Sequence, residues 1–239
     1  MTIEDAAEVV DQTAAIAPQI RRFLRARIVN NSLQPGDKLS EAEIAKAYDV
    51  SRQPVREAFI KLADEGLILT RPQRSTLVRA IDYPTVLQIR FVREAVEADI
   101  VRMLAANPDP AVIRELRHQL ARQSEVGDDN RTEFFRLDEL FHRTIAEAAS
   151  KDLAFQFIEA LNGQMDRVRV LSFGLFPLDN LIQQHTQIVD KIEAGDASGA
   201  SQAMRVHLNE MIRTLPKIAQ KHPKLFERAE GPTSNNPPS

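Results

Sequence analysis

Four side chains in the second half of the chain have the types and spacing that hold a metal ion. Asp138 and His142 stand one helical turn apart in a segment whose inward face is marked by Phe134, Phe141 and Ile145. His185 falls between Leu181 and Ile188 in a second apolar stripe that also includes Leu178 and Ile192, and His207 falls between Met204 and Met211 in a third. A buried imidazole or carboxylate costs stability unless it is paired or ligated. Three of the chain's five histidines on inward faces, joined by one aspartate, make a donor set for a divalent cation, zinc or nickel foremost. Its remaining positions would be open to water or a small anion. Arg93 sits in the middle of a fourth stripe, formed by Val86, Ile89, Val96, Ile100 and Met103. There it could clamp a carboxylate bidentately, or form a structural ion pair with Glu97 or Asp138. His118 and His222 interrupt no stripe and are expected in solvent, as are Arg213, Lys217, Lys221 and Lys224.

A second constellation lies far upstream, in residues 39–70, LSEAEIAKAYDVSRQPVREAFIKLADEGLILT. Two short helices joined by a tight turn are expected there. The second, capped by Ser51, puts Arg52 and Arg56 on one face and Val55, Ala58, Phe59 and Leu62 on the other. A helix that is apolar behind and basic in front, with its N-terminal end outward, suits the DNA major groove.

The elements that must position these residues follow from local signals. The first 16 residues lack a strong period and read as an arm. A helix fits 17–30, with Ile20, Phe23, Leu24 and Ile28 inward. Pro35-Gly36-Asp37 is a turn. Ser40 caps the next helix with Glu43 as its capping-box partner, and Tyr48-Asp49 ends it. Pro54 is tolerated in the first turn of the following helix, and Gly66 stops that helix. Leu67-Ile68-Leu69 and Leu77-Val78 flank a polar tip, predicting a β-hairpin wing. Asp82-Tyr83-Pro84 marks the boundary. Beyond it, helices are expected at about 84–106, 110–126, 131–149, 152–173, 178–194 and 197–220. The reading is a mainly α protein with an N-terminal winged helix-turn-helix (17–81), an all-α six-helix bundle (82–222) and a disordered tail (223–239).

Composition narrows the function. The absence of cysteine excludes disulfides, thiolate metal sites and cysteine nucleophiles. The acidic N-terminus is unlike a secretion signal and no apolar run is long enough to span a bilayer, so a cytoplasmic protein with no membrane partner is expected. The net charge of −3 hides an asymmetry: residues 20–80 carry twelve Lys/Arg against seven Asp/Glu, and residues 81–239 carry nineteen against twenty-three. Phosphate attraction falls off within a Debye length of roughly 8–10 Å, so a basic module on an acidic body can still bind DNA.

PGDKLSEAEIAKAYDVSRQPVREAFIKLADEGLI resembles the winged helix-turn-helix of GntR-family bacterial transcription regulators. The FFRLDELFHRTIAEAA, QQHTQIVDKIEAGD and AMRVHL segments are similar to the FCD ligand-binding domain of that family's FadR-like branch. The resemblance, spanning about 17–220, implies a homodimer that binds a palindromic operator in double-stranded DNA, more often as a repressor. It also implies a small carboxylate metabolite as effector and a metal held by Asp138, His142, His185 and His207. Ser51, Arg52, Gln53, Arg56 and the wing's Arg74 would contact DNA, and Arg93 the effector. Two departures stand out: Ala42 occupies a position where many relatives carry arginine, and Ser75 follows Arg74 where a wing glycine is usual.

Two rival readings of the donor set are a metal-dependent hydrolase, in which the ion activates water, and a regulator whose metal is purely structural. No further acid or base interrupts the stripes near the four donors, since Glu147 and Glu159 lie off the inward faces, so the enzyme reading is the weaker.

Overall fold

The computed structural model describes residues 9–70, 75–127, 130–172, 175 and 177–227. The head comprises α1 (Ile16–Val29), β1 (Lys38–Leu39), α2 (Glu41–Ala47), α3 (Arg52–Asp64), β2 (Ile68–Leu69) and β3 (Thr76–Val78). Ile20, Leu24 and Ile28 of α1 meet Ile44 of α2 and Val55, Phe59 and Leu62 of α3 in one apolar core. The Ser40 hydroxyl accepts from the Glu43 amide at 3.3 Å, as the capping signal predicts. Ser51 is the N-cap of α3 by position, but its hydroxyl makes no capping bond. Gly66, at φ +69°, turns the chain out of α3 into the wing.

The hairpin is present, with β3 in the middle of an antiparallel sheet of order β1-β3-β2. Strand β1, pairing Lys38 with Leu77 and Leu39 with Thr76, is unforeseen, because two residues are too few to show a period. The expected arm is shorter than 1–16: Val10 is buried in the head core, and Gln19 exchanges hydrogen bonds with the Asp11 backbone.

The body is all helical: α4 (Tyr83–Ala106), α5 (Pro110–Ser124), α6 (Arg131–Ala148), α7 (Asp152–Leu161), α8 (Gly163–Leu171), α9 (Leu178–Glu193) and α10 (Ala197–Lys221). Among the described residues the six expected segments become seven α-helices, because the fourth divides at Asn162. Gly163 explains the division. A Cβ there would meet the Glu65 carbonyl oxygen at 2.9 Å and Leu67 Cγ at 3.0 Å, so α8 starts flush against the head. Nor does the chain loosen at residue 223: Pro223–Leu225 forms a 3₁₀ turn, Phe226 is buried, and Ile81 pairs with Phe226 in a parallel bridge.

Helix α4 lies at the centre, packed by α6, α7, α8, α9 and α10. Its buried face is therefore wider than one stripe, taking in Arg93, Glu97, Ala98, Val101 and Leu104, while Met103, expected inward, is 39% exposed. The body holds two apolar clusters. One gathers Val101, Leu104, Leu116, Phe141, Ile188 and Met204. The other, nearer the head, gathers Val86, Ile89, Met165, Val168, Leu215 and Ile218. On α4, Arg93 and Glu97 fall between the residues of these clusters, so a polar layer crosses the body between them.

Replacing Gly163 with alanine should overpack the seam between α8 and the head. We expect a stability loss on the order of 1–3 kcal/mol, measured as a lowered urea midpoint with an unchanged far-UV circular dichroism spectrum.

Candidate metal centre and DNA-reading face

The four donors singled out in the sequence converge. One ligand atom from each of Asp138, His142, His185 and His207 lies within 4.8 Å of all the others, and all four residues are buried. Helix α6 supplies Asp138 and His142, α9 supplies His185 and α10 supplies His207. His142 Nε2 is 3.2 Å from His207 Nε2, and His185 Nε2 is 3.3 Å from His207 Nε2. Asp138 Oδ1 is 3.3 Å from His185 Nε2 and 3.8 Å from His142 Nε2. Two donors each about 2.1 Å from a common ion lie roughly 3.0–3.4 Å apart at cis or tetrahedral angles. Three of the four separations fall in that range and the His142–Asp138 one, at 3.8 Å, is longer, so the donors stand close to a geometry that one divalent cation could draw together. The Phe141 ring stacks on His185 at 4.4 Å and meets His142 edge-on at 5.6 Å, which fixes both imidazole planes.

What sits behind the imidazoles decides their tautomer. His142 Nδ1 lies 2.6 Å from Glu97 Oε2, His185 Nδ1 2.8 Å from Gln123 Oε1, and His207 Nδ1 3.1 Å from Gln184 Oε1. Gln123 donates from Nε2 to the Leu137 carbonyl, which turns its oxygen toward His185. Each outer nitrogen lies beside an acceptor, and protons kept there would turn the three Nε2 lone pairs toward one another. Converging lone pairs beside a carboxylate repel unless a cation sits among them. Burial pushes the His185 imidazole down from its ordinary range. The same burial, with His185 and His142 close by, pushes His207 down further. Burial alone would raise the Asp138 carboxyl, but the bond to His185 and the nearby Arg169 charge hold it well below the usual carboxylate range. Neutral imidazoles and an ionised carboxylate are the protonation states a metal requires.

Arg93 is at once an ion-pair partner and a cavity residue. Its Nε donates to Glu97 Oε1 at 2.6 Å in a fully buried pair, and the same glutamate backs His142. Burial would raise the Glu97 carboxyl, but the Arg93 charge and then His142 outweigh it and hold the group low. Arg93 also lines a cavity of about 50 Å³ with Arg90, Arg131, Asp138, Arg169 and His207. At roughly 10–15 Å³ per water-sized group, such a volume admits about three to five. Sequence reasoning found Arg93 and offered Glu97 as its ion-pair partner, as observed, but it missed the contact of Glu97 with His142 and the roles of Gln123, Gln184 and Arg169.

On the head, Ser51, Arg52, Gln53 and Arg56 are all exposed, while Val55, Ala58, Phe59 and Leu62 behind them are buried. Gln53 is tied to Glu57 at 3.1 Å. Arg74 lies outside the described residues. Among those described, no helix is long and apolar enough to cross a membrane.

The chain thus joins a winged helix-turn-helix head to an all-helical body. Residues 16–78 match the bacterial regulatory proteins of the gntR family, and residues 88–210 match the FCD domain. The chain is 36% identical over 228 residues to the HTH-type transcriptional repressor RspR of Escherichia coli, covering 95% of this chain and 99% of that one. It is 32% identical over 195 residues to a probable D-xylose utilization operon transcriptional repressor of Paenarthrobacter nicotinovorans, covering 81% and 85%. In fold it is similar to E. coli McbR/YncC (TM-score 0.70, 18% identity, 87% and 99% covered). It is also similar to a GntR regulator from Rhodococcus (TM-score 0.68, 23% identity, 85% and 99% covered). The protein belongs to the GntR family of transcription regulators, in its FCD-containing branch. These relatives are regulators, which removes the hydrolase alternative.

Breaking the Arg93–Glu97 pair leaves a buried guanidinium without its partner, so Glu97→Gln should destabilise the protein by about 3–5 kcal/mol at neutral pH. Because the folded Glu97 carboxyl is depressed, its contribution is present above its unfolded value and is lost as pH falls below it. Urea titrations should therefore show wild type weakening from about pH 4.5 downward, with a shallower acid slope in the variant.

Proposed function

We propose that the protein is a metabolite-responsive repressor that binds a palindromic operator as a homodimer. Its body would hold a zinc or nickel ion through Asp138, His142, His185 and His207. The carrying observation is the convergence of three buried imidazoles and one carboxylate next to an arginine-lined cavity. When bound, the metal would supply a Lewis-acidic position for a carboxylate. Arg93 lies at the cavity wall to orient that anion, with Glu97 fixing its guanidinium. The cavity size favours a short organic acid. A purely structural ion predicts a different result: added acids would give no stabilisation beyond that of the metal itself.

For the head, exposed Arg52, Gln53 and Arg56 would meet base edges and phosphates, with Ser51 and the wing's Arg74 adding backbone contacts. Pairing of two heads is supported by the body surface. Phe91 on α4 and Leu153 and Phe157 on the adjoining α7 are 68%, 76% and 65% exposed, and Leu87 extends the strip. Apolar strips on two packed helices are self-complementary under a two-fold axis, so a second copy would cover them. A DNA-binding role would be exercised in the cytoplasm.

Three measurements test these proposals. Calorimetric titration should show one zinc or nickel per chain in wild type, and none in His185→Ala or His207→Ala. A screen of short carboxylic acids should raise the melting temperature of the metal-loaded protein, and Arg93→Gln should abolish that rise. Binding to a fragment selected from random DNA should weaken by about 1–3 kcal/mol for Arg52→Ala, with relaxed preference at one base of each half-site. Undiminished, equally selective binding by that variant would count against α3 as the reading helix.

A further inference from the structure

Helix α8 touches both halves of the molecule, and its charged side chains form a continuous run between them. At the sensor end, Arg169 Nη2 lies 3.7 Å from Oδ2 of Asp138, the proposed metal ligand. The same guanidinium reaches Asp166 Oδ1 through Nη1 at 3.6 Å. Asp166 in turn binds Arg25 of α1 through its other oxygen. Arg25 Nε then meets Glu65 Oε2 at 2.6 Å, and Arg21 closes on Glu65 Oε1 at 2.6 Å. Glu65 is the residue that caps the C-terminal end of α3, the helix bearing Arg52 and Arg56.

We infer that this alternating run, Asp138–Arg169–Asp166–Arg25–Glu65, couples occupancy of the metal site to the placement of the reading helix. The inference rests on the metal reading above and adds to it the route by which the head is governed. Glu65, Asp138 and Arg169 expose 3%, 6% and 10% of their side chains, and Asp166 and Arg25 20% and 27%. Charges so shielded are screened by salt far less than surface pairs. The links also differ in tightness. Those on the head are close contacts, whereas the two made by Arg169 are long and divide it between Asp138 and Asp166. Arg169 is therefore the adjustable member. A dication on Asp138 draws that carboxylate away from Arg169 and leaves the guanidinium to Asp166. An anion in the cavity that Arg169 lines competes for it instead.

Rigid contacts turn that local exchange into motion of the head. Gln164 Nε2 donates to the Gly66 carbonyl at 2.5 Å and Arg167 Nη1 to the Arg79 carbonyl at 2.6 Å, while Gly163 abuts Glu65. A shift or rotation of α8 cannot occur without carrying the end of α3 and the start of the linker with it. Interfaces packed this closely switch between discrete arrangements and do not deform smoothly.

The test is hydrogen–deuterium exchange on the full-length protein, stripped with chelator and then loaded with zinc alone, with zinc uptake followed separately by calorimetry. In wild type, zinc should change amide protection in α6 and α8 and also in α1 and the last turn of α3. In Asp166→Asn, and independently in Arg25→Gln, zinc should still bind and still protect α6, while the response in α1 and α3 disappears. Arg117→Gln, which breaks the peripheral contacts to Asp190 and Glu193, should behave as wild type. Zinc uptake without any change in the head of wild type would overturn the coupling and leave the metal site standing. An undiminished head response in both variants would overturn it equally. Absence of zinc uptake by wild type would bring down the metal reading and this inference together.

Discussion

Everything in the body turns on where three protons are kept. Gln123 and Gln184 each meet an imidazole at its outer nitrogen and Glu97 lies close against the third, so protons kept there would leave three lone pairs facing a common point beside the Asp138 carboxylate. A divalent cation at the centre would relieve their repulsion, and burial disfavours protons in that role by depressing His185 and His207. Glu97 does double duty because its second oxygen holds Arg93. One carboxylate thus sets both the donor geometry of the centre and the direction of a cation at the cavity wall.

The polar layer made in this way lies between two apolar clusters that could each pack alone. Phe141 shows how tightly the two kinds of surface are joined: it is fully buried in the larger cluster while its ring is stacked on His185. The layer is not fully paired, since His142 Nδ1 and Glu97 Oε2 lie 2.6 Å apart without hydrogen-bond alignment; the Arg93–Glu97 bond offsets part of that cost.

Much of this was legible in the chain itself. A polar residue that interrupts an apolar stripe is conspicuous, which is how Asp138, His142, His185 and His207 could be picked out and why Arg52 and Arg56 stood apart from Val55 and Phe59. The supporting residues were hidden for a physical reason. Glu97 could be named as a partner for Arg93, but its reach to His142 depends on how α4 packs among its five neighbours. Gln123 and Gln184 are ordinary helix residues whose role depends on which ring they meet. The break between α7 and α8 had a local signal in Asn162-Gly163, but its cause, the close approach of Glu65, is tertiary. Strand β1 and the ordered stretch 223–227 exist only through pairing with Leu77 and Ile81, which no local pattern announces.

That last pairing has a mechanical consequence. Ile81 donates its amide to Leu225 and accepts from Glu227, and the Arg79 carbonyl just before it is held by Arg167. The peptide joining head and body is therefore stapled on both sides and offers no slack. A joint held this way resists sliding of the head along the body more than a small rotation about the joint. For any assembly that presents two such heads to a double helix, the quantity under control is then an angle, and the lever is the full width of the head.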